Sequence, residues 1–428
     1  MWTTLSVQVA TPVFNSAATP ADAHLNAPPE IRVPSLRGGM RFWLRAMAAR
    51  YVGDDVHRLR RVEDRVLGST AGSSPIKLRI PHRLTPSTVE LRDLLRERGQ
   101  DRRDQEKWIA YLLGPGLATK GRPLTRDFIP PQEFELQVRL DGRDRDAHRC
   151  ALAALWLNCT YGGVGSRVRR GFGNLRIVGA GQGLPFESGS SLMRTPGLSH
   201  YAAARHLLFT GPLIEARQAL SRVCAAPGKR DSTAEAEEFD WGEEPIAPFP
   251  VLGEEHTTAG IAGGRAQASW DAVLAKAGRE LRYFRAELDS DKPEKYSPPI
   301  KTKGWINVIH DKERREKRMP MATMGLPLVY KDEYEVRVTK TKAGGGGVEQ
   351  LRRASPLWLR AVGEKNEWKL FSFAFWNRFL PEDQETSVDL WKRGNHVREI
   401  EADTDNAHGL VEEWIDEIGK GGSFVRRV

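Results

Sequence analysis

"YGGVGSRVRRGFGNLRI", residues 161–177, sets four arginines among five glycines in seventeen residues. Its flanks differ in period. Upstream, "RDAHRCALAALWLNC" has the composition and the apolar spacing of a helix. Downstream, "FGNLRIV" alternates as a strand. The stretch is therefore a helix-to-strand junction, and the fold reads outward from it.

Toward the N-terminus, "EFELQVRL" alternates Phe134, Leu136, Val138 and Leu140, a strand, and "PIKLRI" alternates Ile76, Leu78 and Ile80, another. "EKWIAYLLG" suits a strand or a short helix, and "DVHRLRRVEDRVLGS" a second short helix. "VPSLRGGMRFWLRAMAARYV" places Leu36, Met40, Trp43, Leu44, Met47 and Tyr51 at helical spacing, with Pro34 as a start signal and Ser35 as N-cap. Leu5, Val7 and Val9 mark the first strand. The order is strand, helix, strand, strand, helix, strand, which is the ferredoxin-like (split βαβ) order. It predicts an α+β fold whose helices cover one sheet face and leave the other free to bind.

"GAGQGLPFESGSSLMRTPG" is rich in Gly, Ser and Pro and marks a boundary, giving domains 1–185 and 186–428. Beyond it, "LIEARQALSRVC" and "SWDAVLAKAGRELRYFRAEL" read as helices. "YEVRVT", "PLWLRAV" and "WKLFSFAF" read as strands, with a hairpin tip or finger at "KTKAGGGGVEQ". A second α+β domain fits, carrying an acidic excursion near Glu235–Glu244 and a basic run at Lys301–Arg318.

Lys and Arg number 65 against 56 Asp and Glu, a net charge of +9 that favours a polyanionic partner. Cys150, Cys159 and Cys224 form no C-x-x-C pair, so a cysteine zinc site and a disulfide framework are disfavoured and buried thiols expected. There is no basic-then-apolar leader pattern and no apolar run of membrane length, so a soluble, cytoplasmic chain without membrane association is expected.

Glycines let backbone amides approach a phosphate, and Arg167, Arg169 and Arg170 supply forked cationic donors. The candidate contact set on the junction is Gly162, Gly163, Gly165, Ser166, Arg167, Arg169, Arg170 and Phe172. No Lys-[Ser/Thr] follows, so this is not a Walker loop, and it ends a helix rather than opening one, so it is not a dinucleotide fingerprint. One of Gly162, Gly163 and Gly165 is expected as a left-handed helix cap. A basic turn with structural glycines remains the competing reading. Arg37, Arg41 and Arg45, four apart, form a cationic stripe on the first helix, with Gly38 at its start. Phe42 or Trp43 could stack on a base, and Trp43 fits the core better. Asp141, Asp144 and Asp146 suit a helix-dipole role more than a magnesium site.

Taken in order, "TPVFNSAA", "EIRVPSLRGGMRFWLRAMA", "EDRVLGSTAGSSPIKLRI" and the junction itself resemble the RAMP superfamily of CRISPR systems over residues 3–178. "LRGGMRFWLRA" is similar to the pattern of the large two-domain RAMP subunits of type III-B Cmr effector complexes, and "GSRVRRGFG" to the superfamily's glycine-rich loop. Asn15-Ser16 stand where the family often has glycines. The resemblance implies two tandem ferredoxin-like (RRM-type) domains with insertions. It also implies a non-catalytic subunit without cofactor or metal. Such a subunit contacts CRISPR guide RNA near its 3′ part and complementary target RNA, beside other Cmr RAMP subunits. The alternatives are a metal-independent endoribonuclease using His24 as acid or base, and a scaffold whose arginines grip neighbouring subunits.

Overall fold

The structure is a computed structural model. It describes the chain except for residues 16–28, 88–98, 115–116, 118–126, 208–209, 226–233, 243–245, 288–300, 303–318, 330–332, 342–347, 381–385, 403–406 and 425–428. His24, most of the basic run Lys301–Arg318 and the tip of the glycine finger lie outside the described residues.

The first unit runs β1 (Thr3–Val9), α1 (Val33–Val52), α2 (Val56–Leu67), β2 (Ile76–Arg79), α3 (Gly99–Leu113), β3 (Glu133–Leu140), α4 (Arg145–Thr160) and β4 (Leu175–Ala180). Its strands pair antiparallel in the order β2-β3-β1-β4. The alternation read from sequence sets the faces: Leu5, Val7, Val9, Leu136, Val138, Leu175 and Ile177 are buried under α1 and α4, while Ser6, Arg79, Glu133 and Glu135 on the other face are exposed. α1 covers the residues expected of it. Each large apolar side chain it buries, such as Trp43, contributes about 1.5–3 kcal/mol. Its cap differs: Arg32 is the N-cap residue, without a side-chain bond, and Ser35 sits inside the first turn. The segment around Trp108, open between strand and helix in sequence, is helical because Trp108, Ile109, Leu112 and Leu113 recur at helical spacing and pack on a later helix.

After a 3-10 turn at Ser190–Met193, α5 (Leu198–Ala203) and α6 (Leu213–Cys224) follow, and α6 lies against α4, α1 and α2. Next come β5 (Thr257–Ile261), α7 (Trp270–Phe284) and the short pair β6 (Ala286–Glu287) and β7 (Lys301–Thr302). They are followed by β8 (Leu328–Val329), β9 (Tyr334–Thr341), β10 (Val348–Leu351), β11 (Leu357–Glu364), β12 (Glu367–Phe375), β13 (Thr386–Lys392), β14 (Asn395–Glu399) and α8 (Ala407–Gly419). β11-β12-β5 form one antiparallel sheet, and β10-β9-β13-β14, with β8 against β9, form a separate one. Strand, helix, strand, strand, helix thus recurs as β5, α7, β11, β12, α8. The separate sheet is inserted on both sides of the β11–β12 hairpin.

The β11-β12-β5 sheet is covered on both faces. Leu357, Leu359, Ala361, Leu370 and Ala374 join a core with α7, α8 and α3. Trp358, Val362, Phe371, Phe373 and Phe375 join the core of α1, α4 and Tyr161. That is why β11 and β12 read as nearly continuous apolar runs rather than alternating ones. α3 leaves the first unit to pack on α7, and Phe14 and Phe172 cross into the same second core.

Candidate nucleic-acid interface

α4 stops at Thr160 with Tyr161 as a right-handed cap residue, so the expected left-handed glycine cap is corrected: Gly162 and Gly163 have no positive φ, and Gly165, four residues later, does at +92°. Gly162 is required for close approach instead. A Cβ there would lie 2.6 Å from Trp43 Nε1 on α1 and 2.7 Å from Asn158 Oδ1. Gly173 combines φ +70° with a Cβ position that runs into the Val164 carbonyl. The turn is then laced shut: Val164 N donates to Gly173 O at 2.9 Å, Gly173 N to Pro12 O at 2.9 Å and Ser166 N to Phe14 O at 2.8 Å. Asn15 joins the turn to the first turn of α1, its Nδ2 donating to Ser35 Oγ at 3.2 Å and Glu30 O at 2.7 Å.

The helix start and the glycine turn therefore meet. Gly38, Gly165, Ser166 and Arg167 are exposed there, and nothing stands within 4 Å of a Cβ built on Gly38. Gly162 and Gly163 lie beneath them as spacers.

The α1 arginines turn inward or sideways. Arg37 is half-buried and donates to Ile76 O at 2.6 Å and to Leu67 O, the last residue of α2, at 3.2 Å. Burial, then repulsion from Arg41, lowers its pKa. Arg41 and Arg45 share Glu63 of α2 at 2.8 and 2.6 Å. Phe42 packs edge-on against Phe375 and tilted against Trp358, and Trp43 is a core residue at 1% exposure.

The turn arginines meet the second unit. Leu359 N donates to Arg169 O at 3.0 Å, and Arg170 bridges to Leu359. The Arg169 guanidinium donates to Ser355 O at 2.5 Å and lies 4.7 Å from the Trp358 ring. Arg170 lines a small cleft with Arg169 and Arg285. Arg353 donates to Arg378 O at 2.7 Å. Burial pushes Arg169 and Arg170 down to about 10, helped by repulsion from Arg353 and from Arg285 respectively. Burial also lowers Arg353, and partial desolvation lowers Arg167, whose surface remains open. Among the described residues, none of these five arginines forms an ion pair, although the chain carries many others. Phe172 has no exposed surface and packs edge-on against Phe14 in the second core, so its ring presents nothing to a ligand.

Arg360 escapes a motif reading. It is 3% exposed and donates to Gly162 O, Cys159 O and Leu175 O at 2.5, 2.5 and 2.7 Å. It answers the orphan carbonyls where α4 ends and complements that helix's negative pole. Its signal in sequence was a lone arginine inside the apolar run "PLWLRAV". Arg285 and Arg353 had no such signal, because only the fold brings them to the turn.

Among the described residues no His, Cys, Asp and Glu group can hold a metal ion, and no helix is long and apolar enough to cross a membrane. The three cysteines are free and buried. Asp144 caps α4 by accepting from Ala147 N at 3.0 Å and pairs with Arg65, and Asp146 stands in the first turn and pairs with Arg222, the dipole role expected of these two; Asp141 instead pairs with Arg139 and Lys77. The acidic excursion pairs inward, Glu235 with Arg222 and Glu238 with Arg50 and Arg217.

Residues 6–176, from β1 through the glycine turn to the start of β4, match the RAMP superfamily model. Within it, the chain is homologous to Cmr1 subunits of type III-B Cmr complexes. It is 32% identical over 153 residues, 36% of its length, to the CRISPR system Cmr subunit Cmr1-1 of Pyrococcus furiosus, but spans only 42% of that relative. To Cmr1-2 of the same organism it is 28% identical over 167 residues, covering 35% of this chain and 83% of that one. The crystal structure of apo Cmr1 from P. furiosus superposes with a TM-score of 0.53 at 20% identity over 97% of both chains, so the likeness of fold extends through the second unit.

Proposed function

We propose that this chain is a non-catalytic RNA-binding subunit of a type III-B CRISPR (Cmr) ribonucleoprotein, working in the cytoplasm. In this reading it contacts guide RNA near its 3′ part, and complementary target RNA, beside other Cmr RAMP subunits. Two tandem ferredoxin-like units, 1–185 and 186–428, carry the function. The β2-β3-β1-β4 order supports the first, and the recurrence of strand, helix, strand, strand, helix in β5–α8 supports the second.

One observation carries the reading: Arg167, Arg169, Arg170, Arg285 and Arg353 gather at an exposed glycine turn without a carboxylate among the described residues. Desolvated cations without a counter-charge favour an incoming anion. Phosphates spaced along a strand supply several, and backbone contacts accept any guide sequence. Arg167 is the most open of the three turn arginines, while Arg41 and Arg45 already share Glu63.

The test is binding of labelled single-stranded RNAs of unrelated sequence to the full chain across a salt series. Similar affinities are expected, with a log–log salt slope that Arg167→Ala reduces by about 0.7 for each phosphate the chain no longer neutralises. Arg41→Ala is expected to change the slope less. Discrete cleavage of repeat RNA in EDTA, lost in His24→Ala, would establish the ribonuclease alternative instead. Weakened subunit assembly with unchanged RNA affinity in Arg167→Ala would establish the scaffold.

A further inference from the structure

The uncovered face of the first sheet carries a second cluster of cations. In register, Lys77 opposes Arg139, Arg79 opposes Gln137, and Gln137 opposes Thr4. Continuing from Thr3 opposite Val138 sets Trp2 across from Arg139 on that same face. The Arg79 guanidinium stands 4.3 Å from the Trp2 ring centroid and that of Arg139 5.2 Å from it. Arg79 is exposed, and its Nε donates to Gln137 Oε1 at 2.6 Å. Asp141 is the carboxylate at this corner, 3.0 Å from Arg139 Nε and 3.9 Å from Lys77 Nζ. Among the described residues, three cations thus face one anion. Among the described residues of β3, Glu133 and Glu135 are exposed on the same face, toward the N-terminal end of the strand.

We propose that this corner is a second contact for single-stranded RNA, a base stacking on the Arg79–Trp2 pair while Lys77 holds a neighbouring phosphate. Flat π surfaces beside positive charge are what a nucleotide engages and what an acidic peptide does not need. β2 is the outer edge of its sheet, away from the second unit, which meets the β4 side through Arg176 and Gly363. Trp2 lies eight residues along the chain of β1, about 27 Å of extended strand, from Ala10, whose N donates to Asn174 O just past the glycine turn. The inference rests on the RNA-binding reading and extends it to a stretch of strand rather than a point.

The test uses the full chain with a fluorescein-labelled single-stranded RNA and an abasic sugar–phosphate strand of equal length. Trp2→Ala is expected to weaken RNA binding about five- to tenfold and to affect the abasic strand less, with Trp2→Phe restoring most of the affinity. Lys77→Ala with Arg79→Ala is expected to weaken both strands and flatten the salt slope by about 0.7 per phosphate left unneutralised. Ultraviolet crosslinking of the unaltered chain is expected to mark the peptide holding Trp2, a result that does not depend on any variant folding. Wild-type affinity in Trp2→Ala with crosslinks elsewhere overturns this corner and leaves the glycine-turn reading standing. Loss of an acidic protein partner alone, with RNA binding intact, likewise overturns it. Failure of the unaltered chain to bind RNA overturns both readings.

Discussion

Along α1, Arg41 and Arg45 share the carboxylate of Glu63 at 2.8 and 2.6 Å, and Arg37 is turned onto two carbonyls. On the glycine turn, Arg169 and Arg170 are desolvated, held near other arginines, and have no carboxylate among the described residues. Both sets are arginine-rich stretches beside glycines. The difference is what the fold delivers to them: α2 brings an acid to the first set, whereas β11 and α7 bring carbonyls and more arginine to the second. A cation whose charge is answered internally has little left for a ligand. A cation desolvated without an answering charge raises the energy of the free protein until an anion arrives.

The largest effect expected from testing this contrast is at Arg360, which ties both units to the end of α4. Arg360→Met leaves Cys159 O, Gly162 O and Leu175 O without their donor, and a loss of about 3 kcal/mol in urea unfolding is expected. A loss under about 1 kcal/mol would mean that the turn's geometry stands without the second unit. Next is Gly173→Ala, where a positive φ and a blocked Cβ coincide. Destabilisation of about 2 kcal/mol is expected, together with weaker RNA binding because the turn no longer closes. Smallest is Glu63→Gln. Removing the shared partner of two partly exposed arginines should cost about 0.5–1 kcal/mol in thermal unfolding. If it also tightens RNA binding more than a few-fold, the α1 stripe belongs to the interface and the contrast fails.

Much of the first unit was legible because its elements are locally consistent. The β1 and β3 alternation and the 3.6-residue period of α1 each have one buried face and one open face, and periodicity reports that difference directly. The stretch at Trp108 stayed ambiguous because its partner, α7, lies more than 150 residues away in sequence. Gly162 and Gly163 were legible as necessary glycines but not as spacers, since the Trp43 ring that forbids a side chain at Gly162 lies on α1, and the Gly173 carbonyl that forbids one at Gly163 lies across the closed turn. Phe172 was read as a contact because it stands on the glycine turn, between Gly171 and Gly173. Its burial depends on Phe14 and on a core supplied mostly by the second unit.

By itself the sequence determined which segments of the first unit are helix and strand apart from the stretch at Trp108, the split order of those strands, the excess of positive charge and the RAMP resemblance carried by residues 3–178. These follow from local propensity, short-range periodicity and composition, which need no knowledge of distant contacts. Only the tertiary structure decided which arginines keep an unanswered charge, that the second sheet has no free face, and that Arg360 fastens the turn. Each of those depends on pairs brought together from far along the chain, where desolvation and the presence or absence of a counter-charge are set by packing.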